Sequence, residues 1–394
     1  MNTNGVLSAI ERRFRAIGLG AAIGLATALP TQAAVDIASV PLFLTASVDP
    51  NLMFILDDSG SMQFEVMPDE LIHSTTRYVF PRANGVYGEG DYSNYVATVA
   101  DGAPYNALMR SPQVNTLYYN PSVTYTPWTR HDGSLYPAAT PECALHNPER
   151  TGACPTGTTS ANSYARNLTV DNGNYNSNRW YSCTKSGASV SCSYTTGSRT
   201  FWPAVYFWHN GGDIWTWGNY TKVEILPTTT SYTGHGRESR GDCAAAPTCT
   251  YAEEMQNFAN WYTYYRSRVL AARAGIGKAF AEQGEGMRVG FAAINKGSTT
   301  IDGVSTGTII RGVRPFSGSD RIDFFDLLYG HIIPNEGTPL RRALNDVGLY
   351  FSRAGIRGPW GCRPGASSTA GAWLPSWRPR GTSPPTSNSG GSTS

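Results

Sequence analysis

The sequence predicts an α/β domain built on a doubly wound sheet that is interrupted by a large, β-rich, disulfide-bearing insertion. Three observations favour this fold class. An apolar run at 52–56 ends in a polar turn, a long segment with few helix breakers covers 251–282, and strand-like and helix-like patterns alternate from 287 to 351. The intervening residues 64–250 are rich in Tyr, Asn, Ser, Thr and Gly and poor in charge, so they predict an insertion into the sheet domain.

Each element of the sheet domain follows from a local pattern. The run 52–56, preceded by Pro50 and Asn51, predicts a buried strand. Residues 251–282 predict one long helix whose apolar stripe faces the sheet: Phe258, Tyr262, Tyr265, Val269 and Ala272. Residues 287–294 predict a buried strand, 308–313 an edge strand and 320–329 a short helix. This order is the first half of a doubly wound sheet. We expect the sheet to be incomplete, because its later strands, toward the C-terminus of the chain, are missing.

The insertion has the pattern of small β-hairpins and loops. Short aromatic or β-branched runs at 114–119, 201–207 and 220–225 are separated by Gly, Pro and Asn. Sequence alone does not determine disulfide connectivity, but proximity along the chain predicts three short-range pairs: Cys143/Cys154, Cys183/Cys192 and Cys243/Cys249. Cys362 is left over, and paired cysteines indicate an oxidising compartment.

The amino terminus predicts export. Three arginines at 12–15 precede an uncharged Ala/Gly/Leu/Ile stretch at 16–29, and small residues then allow cleavage after Ala33. This is the pattern of a secretory signal peptide at 1–33. No other segment approaches the ~20 apolar residues that a transmembrane helix needs. The net charge of +2 without a basic stripe gives no support to nucleic-acid binding.

A candidate metal-binding turn, Asp57-Asp58-Ser59-Gly60-Ser61, follows the first strand directly. The spacing Asp-x-Ser-x-Ser offers one carboxylate and two hydroxyls, an all-oxygen set that suits Mg²⁺ or Mn²⁺, with Ca²⁺ as a further alternative. A calcium EF-hand loop is excluded because its twelfth position would be Pro68 rather than glutamate. An aspartyl-phosphate enzyme would need a second carboxylate where Ser59 stands. The other interpretation is a polar turn that only closes the strand.

A second motif lies in the far half of the chain. Gly337-Thr338-Pro339-Leu340 opens a predicted helix with apolar positions Leu340, Leu344, Val347 and Phe351, which places Thr338 at the N-cap and Pro339 as the first helical residue. An ordinary helix cap is the alternative. Taken together, the two motifs resemble the metal-ion-dependent adhesion site of von Willebrand factor A-type domains. The resemblance implies metal ligation by Asp57, Ser59, Ser61 and Thr338, and a domain formed by 48–63 and 251–357.

Motifs in and after the insertion resemble the amino-terminal region of the PilC/PilY family of type IV pilus biogenesis and tip-adhesin proteins. They lie at 115–121, 125–128, 201–204 and 254–262, and the resemblance covers about 48–361. It implies an exported pilus assembly factor or adhesin whose metal binds an acidic group of a surface or host receptor, with pilus components as further partners. The expected location is the periplasm, the outer-membrane surface or the pilus tip. The family also implies a later β-propeller with its own calcium site.

The chain departs from this family after Gly358. Residues 358–394 contain no Ile, Val, Phe, Asp or Glu, so they predict a disordered tail rather than the expected core strand and its metal-associated aspartate. We interpret the tail as the product of a frameshift or truncation, with a natural short form as the alternative, and the chain as a fragment of a longer protein. A sheet lacking its partner strands exposes apolar edges, so the chain as written is expected to be defective.

A secreted metal-dependent hydrolase is the alternative function. In that case the metal would activate water and a general base would lie nearby. Glu65 and Asp69 follow the turn at no motif spacing and are predicted to be solvated, and neither a Ser/His/Asp set nor Glu-x-x-His occurs. The sequence therefore favours binding without catalysis.

Overall fold

The computed structural model describes residues 49–88, 95–156, 161–162, 164–171 and 179–359. The predicted signal peptide, Cys362 and all but the first two residues of the predicted tail lie outside these ranges. Within the described ranges, no helix combines the length and the apolar composition that crossing a bilayer requires.

The strands of the described chain are β1 Asn51–Leu56, β2 Tyr95–Ala97, β3 Ala144–Leu145, β4 Ala165–Arg166, β5 Arg179–Ser186, β6 Ser189–Thr196, β7 Val205–His209, β8 Tyr220–Glu224, β9 Ser231–Tyr232, β10 Cys249–Thr250, β11 Arg288–Ala293, β12 Thr299–Ile301, β13 Val304–Thr306 and β14 Ile309–Pro315. The α-helices are α1 Pro104–Met109, α2 Tyr251–Tyr264, α3 Arg268–Ala281, α4 Gly318–Gly330 and α5 Leu340–Phe351.

The sheet that carries the candidate site has the order β1–β11–β14. β1 pairs in parallel with β11, from Asn51 opposite Arg288 to Leu56 opposite Ala293. β14 pairs antiparallel with β11 and lies at the edge, as predicted. The parallel pair is separated by more than 200 residues of sequence, so the whole insertion lies between two neighbouring strands. The mixed α/β fold class is confirmed.

Helices cover both faces of this sheet. On one face, Phe54 of β1 contacts Phe280 of α3 and Phe324 of α4, with ring centroids 5.6 and 6.0 Å apart. On the other face, Met53 packs in a cluster with Val313 of β14 and Tyr350 of α5. Successive strand residues point to opposite faces, so β1 contributes to both layers.

β1 is less buried than predicted. Only Leu56 is fully buried, and Leu52 is 41% exposed, because the described sheet has no strand on the outer side of β1. Two apolar residues of α5, Leu340 and Leu344, are likewise 50% and 55% exposed. An uncharged strand edge and an apolar helical stripe therefore remain uncovered among the described residues.

The long helix predicted at 251–282 is in fact two helices, α2 and α3. Tyr265 ends the first, and Ser267 accepts a hydrogen bond from Leu270 N as the N-cap of the second. Between them, the Arg266 side chain is buried and pairs with Glu65, which fixes the chain outside helical geometry. The prediction that Phe258 and Tyr262 face the sheet is also wrong, because their ring contacts outside the helix are with residues of the insertion.

The described residues of the insertion form short strands, as predicted, together with the α-helix α1 and several short 3-10 helices. β7 and β8 form a hairpin, β5 and β6 another, and β2 extends the second hairpin to three strands. All three predicted disulfides are present, each joining cysteines 6 to 11 residues apart in sequence. They are Cys143–Cys154, Cys183–Cys192 and Cys243–Cys249.

One predicted strand of the insertion is absent. Residues 114–119 form turns. The Asn115 side chain bonds to backbone groups that, in a sheet, would pair with the backbone of a neighbouring strand. Its amide oxygen accepts from Met67 N at 3.0 Å, and its amide nitrogen donates to Glu65 O and Met109 O. The run is thus a buried link between loops rather than a strand.

Candidate functional site

The turn after β1 brings its hydroxyl groups together. Asp57 is exposed, and its Oδ1 accepts a hydrogen bond from Ser59 N at 2.9 Å. Ser59 Oγ lies 3.1 Å from Ser61 Oγ. The sequence predicted that three oxygen side chains would gather where β1 ends; the two serine hydroxyls lie together there, and the Asp57 carboxylate bonds to the backbone of the same turn.

The loop that carries Thr338 lies directly against the turn. Gly60 N donates to Glu336 O at 2.9 Å, two residues before Thr338. A Cβ at position 60 would lie 2.9 Å from Asn335 Oδ1 and 3.2 Å from Asn335 Cα. A side chain at position 60 would therefore crowd Asn335, and the two predicted motifs are neighbours in space.

Thr338 does not cap the following helix as predicted. α5 begins at Leu340, Pro339 occupies the N-cap position, and no side chain caps this helix. Thr338 is exposed, and its carbonyl oxygen accepts from Leu340 N at 2.9 Å. The helix starts one residue late because the tight turn at 338–340 uses the backbone of Thr338 instead of its hydroxyl.

Asp58, the second aspartate of the motif, has a separate role that sequence reasoning missed. It is fully buried, and its Oδ1 accepts from Asn295 N at 2.9 Å. Its Oδ2 lies 2.8 Å from Nε2 of His331. The adjacent Asp57 is exposed, so the two carboxylates have opposite environments. Strand alternation could have predicted this difference, because consecutive residues at a strand end point to opposite sides.

The two acidic residues that follow the turn also differ from one another. Asp69 is solvated as predicted, with a side chain 74% exposed and an ion pair to Arg268. The same prediction is wrong for Glu65, which is 1% exposed. Its Oε1 accepts from Arg266 Nε at 2.8 Å, and its Oε2 accepts from two backbone amides, Val79 N and Phe80 N. Glu65 is a structural carboxylate whose oxygens are all engaged.

A cavity of about 550 Å³ opens beside the turn. Its polar lining includes Asp58, Asn295, Lys296 and His331, and its apolar lining includes Leu327 and Ile332. Burial lowers the pKa of Lys296, whose ammonium donates to the carbonyl oxygens of Thr306 and Ile309. The site thus combines an oxygen-rich turn with a neighbouring cavity of mixed character.

The donor chemistry of the turn fits a hard cation. Among the described residues, only the Oδ1 oxygen of the exposed Asp57 carboxylate accepts a hydrogen bond, and the Ser59 and Ser61 hydroxyls lie together in the same turn. Mg²⁺ is commonly held by one or two carboxylates and keeps other positions for water or a partner's oxygen. Among the described residues, no three His, Cys, Asp or Glu side chains converge to hold a metal. The predicted ligand set contains a single carboxylate, so it would not form such a cluster.

Three curated relatives match the chain, each named "Type IV pilus biogenesis factor PilY1". The protein of Pseudomonas aeruginosa strain PAK is 27% identical over 371 residues, which is 92% of this chain. Those of strains PAO1 and UCBPP-PA14 are 26% identical over 92% and 82% of the chain. The chain is similar to PilC/PilY-type proteins. This confirms the resemblance that the sequence motifs indicated.

The chain spans about a quarter of the length of these relatives, 26% for strains PAK and PAO1 and 22% for UCBPP-PA14. The names of the PilY1 proteins describe pilus biogenesis rather than an enzymatic activity, which fits the expectation of a non-enzymatic protein. No family model matches the chain, and no solved structure matches it.

Proposed function

We propose that this chain is part of an exported type IV pilus biogenesis factor that uses a metal-ion-dependent adhesion site to bind an acidic group of a partner. The supporting observation is the contact of the Asp57–Ser61 turn with the loop of Thr338, at the carboxyl end of a parallel strand pair. In open α/β sheets this edge is where ligands bind. The similarity to PilY1 proteins supports the pilus context.

The sheet supports the same proposal at the level of the fold. We propose that β1, β11 and β14 are the first half of a von Willebrand factor A-like sheet that continues at the edge of β1 that is unpaired among the described residues. The apolar stripe of α5 would then cover the next strand. Arg288 at the amino end of β11 donates to Pro359 O at 3.3 Å, so the chain returns after α5 to the end where a strand parallel to β1 would begin.

The proposed chemistry is reversible ligation without turnover. Mg²⁺ or Mn²⁺ would be held by Asp57, Ser59, Ser61 and Thr338, directly or through waters. An acidic side chain of a surface receptor or of a pilus component would supply a remaining ligand, because carboxylate oxygens are what these ions prefer. Such contact would take place in the periplasm, at the outer-membrane surface or at the pilus tip.

A cell experiment tests the role. Residues 49–359 of this chain replace the matching region of PilY1 in a type IV-piliated Pseudomonas aeruginosa strain, as the unaltered sequence and as Asp57→Ala. Asp69→Ala is the matched control, since it removes a nearby exposed carboxylate outside the turn. We expect piliation, twitching and attachment from the unaltered chimera and the control.

The Asp57→Ala chimera should be exported in equal amount but lose attachment or twitching. If neither the unaltered chimera nor the control restores piliation, twitching or attachment, despite normal export, the pilus role is wrong. If Asp57→Ala performs as well as the control, the metal site has no part in that role.

The contacts of Glu65 argue against its use as the general base of a hydrolase. A general base must have a free lone pair within reach of water, whereas Glu65 is buried and engaged by Arg266 and two amides. The Asp58–His331 pair is an imidazole oriented by a carboxylate, an arrangement that a hydrolase could use. Turnover of a nitrophenyl phosphate or ester in Mg²⁺, abolished by His331→Ala, would support hydrolysis against binding.

A further inference from the structure

We propose that Asn295 and Asp58 are positioning residues that hold the two halves of the candidate metal site together before any ion binds. This inference rests on the proposed function, because it concerns the same ligands. Neither residue is itself a proposed ligand.

Asn295 bonds to both ligand-bearing segments. Its backbone N–H donates to Asp58 Oδ1 at 2.9 Å, and its side-chain Nδ2 donates to Gly337 O at 2.7 Å. Gly337 directly precedes Thr338, and Asp58 directly follows Asp57. Asn295, two residues after the end of β11, thus bonds to two residues that are each adjacent in sequence to a proposed ligand.

A further hydrogen bond closes the arrangement. Gly60 N donates to Glu336 O, which joins the turn to the loop without passing through Asn295. The turn, the end of β11 and the loop are therefore each bonded to the other two. Moving any one of these three segments away would break two hydrogen bonds instead of one, so the three segments hold each other in place.

Asp58 anchors this set to the core. It is fully buried, and the His331 imidazole occupies its second oxygen. The carbonyl oxygen of His331 in turn accepts from the guanidinium of Arg273, a residue of α3 that is 1% exposed. Through His331, at the end of α4, and Arg273 of α3, the turn is connected to two helices as well as to β1.

The consequence for metal binding is preorganisation. Ligands that are already held in position lose little conformational entropy when the ion binds. Residues that hydrogen-bond around the ligands hold them in this position. Substitution of outer-shell partners in metal sites lowers affinity by about 10- to 100-fold. Asn295→Ala removes only the link to Gly337, since its backbone N–H can still bond to Asp58.

The test compares the full chain with its Asn295→Ala and Asn295→Asp variants, both of which lack the Nδ2 donor. Asn210→Ala is the matched control, because Asn210 also donates from Nδ2 in an exposed contact, to Thr221 Oγ1 at 3.0 Å in the β7–β8 hairpin. Mg²⁺ affinity is measured by calorimetry. Amide exchange at Gly60 and the urea unfolding midpoint are measured in EDTA.

We expect both Asn295 variants to bind Mg²⁺ about tenfold more weakly and to exchange the Gly60 amide faster than the unaltered chain. Their unfolding midpoints should shift no more than that of the control. Unchanged affinity and exchange would overturn the inference, and so would an affinity loss matched by a general loss of stability. If the unaltered chain binds no Mg²⁺, the proposed metal site fails, and the exchange rate of Gly60 still decides whether Asn295 positions the turn.

Discussion

Removal of the Glu65 carboxylate should destabilise the protein far more than removal of its neighbour Asp69. Glu65 and its partner Arg266 both have fully buried side chains, and their charge-assisted hydrogen bond is 2.8 Å long. In Glu65→Ala, the guanidinium stays buried without its carboxylate, and the amides of Val79 and Phe80 lose their acceptor. The pair also joins segments 201 residues apart, so no local contact can replace it.

The magnitude follows from these contacts. Leaving one partner of a buried ion pair uncompensated costs about 3–5 kcal/mol, and each orphaned buried amide costs about 1–3 kcal/mol. These costs overlap, because water that enters the site solvates all three groups. We therefore expect Glu65→Ala to lower the free energy of unfolding by about 4 kcal/mol. The Asp69–Arg268 pair has an exposed carboxylate, so Asp69→Ala should cost about 0–1 kcal/mol.

Urea unfolding of the chain and the two variants, followed by circular dichroism at pH 7, measures this difference. Glu65→Gln is included in case Glu65→Ala does not fold, because it keeps one oxygen for the amides while losing the charge. Free energies of unfolding that agree within about 1 kcal/mol for Glu65→Gln and Asp69→Ala would refute the reasoning, since an exposed pair of this kind contributes no more than that.

Two other predictions concern pH and the disulfides. Burial, together with the nearby positive charge of Arg266, holds the pKa of His146 well below its usual value. His146 is thus neutral in the folded chain, whereas in the unfolded chain it is protonated below about pH 6.5. The free energy of unfolding therefore falls by about 1.4 kcal/mol per pH unit as the pH drops below that value. His146→Gln should remove this contribution to the pH dependence, measured by urea unfolding between pH 5 and 7. Replacing both Cys143 and Cys154 by serine opens a loop of 11 residues and should cost about 2–3 kcal/mol of unfolding free energy, whereas a loss below about 1 kcal/mol would contradict the loop-closure argument.

Local pattern was sufficient for the strands of the sheet. The runs at 52–56, 287–294 and 308–313 became β1, β11 and β14 because their apolar residues fill both faces between helices. Short-range cysteine pairing was sufficient for the disulfides. Both kinds of signal are confined to a few neighbouring residues.

The failures have the opposite character, because distant contacts decided them. The break between α2 and α3 depends on Glu65, and the absent strand at 114–119 depends on the contacts of Asn115 with Met67 and Glu65, 48 and 50 residues away in sequence. At the site, the motif residues could be predicted from spacing. Asn295 and His331 could not, since they meet Asp58 only after the chain has folded.

The most direct test of the proposed function is a calorimetric titration of the full chain with Mg²⁺ and Mn²⁺, beside Asp57→Ala and the control Asp69→Ala. Asp57 supplies the one carboxylate of the proposed ligand set, and Asp69 is an exposed carboxylate outside the turn. We predict that the unaltered chain and Asp69→Ala bind one ion with equal affinity and that Asp57→Ala binds none. Equal metal affinity in all three proteins, or no binding by the unaltered chain, would contradict the assignment of this turn as a metal-ion-dependent adhesion site.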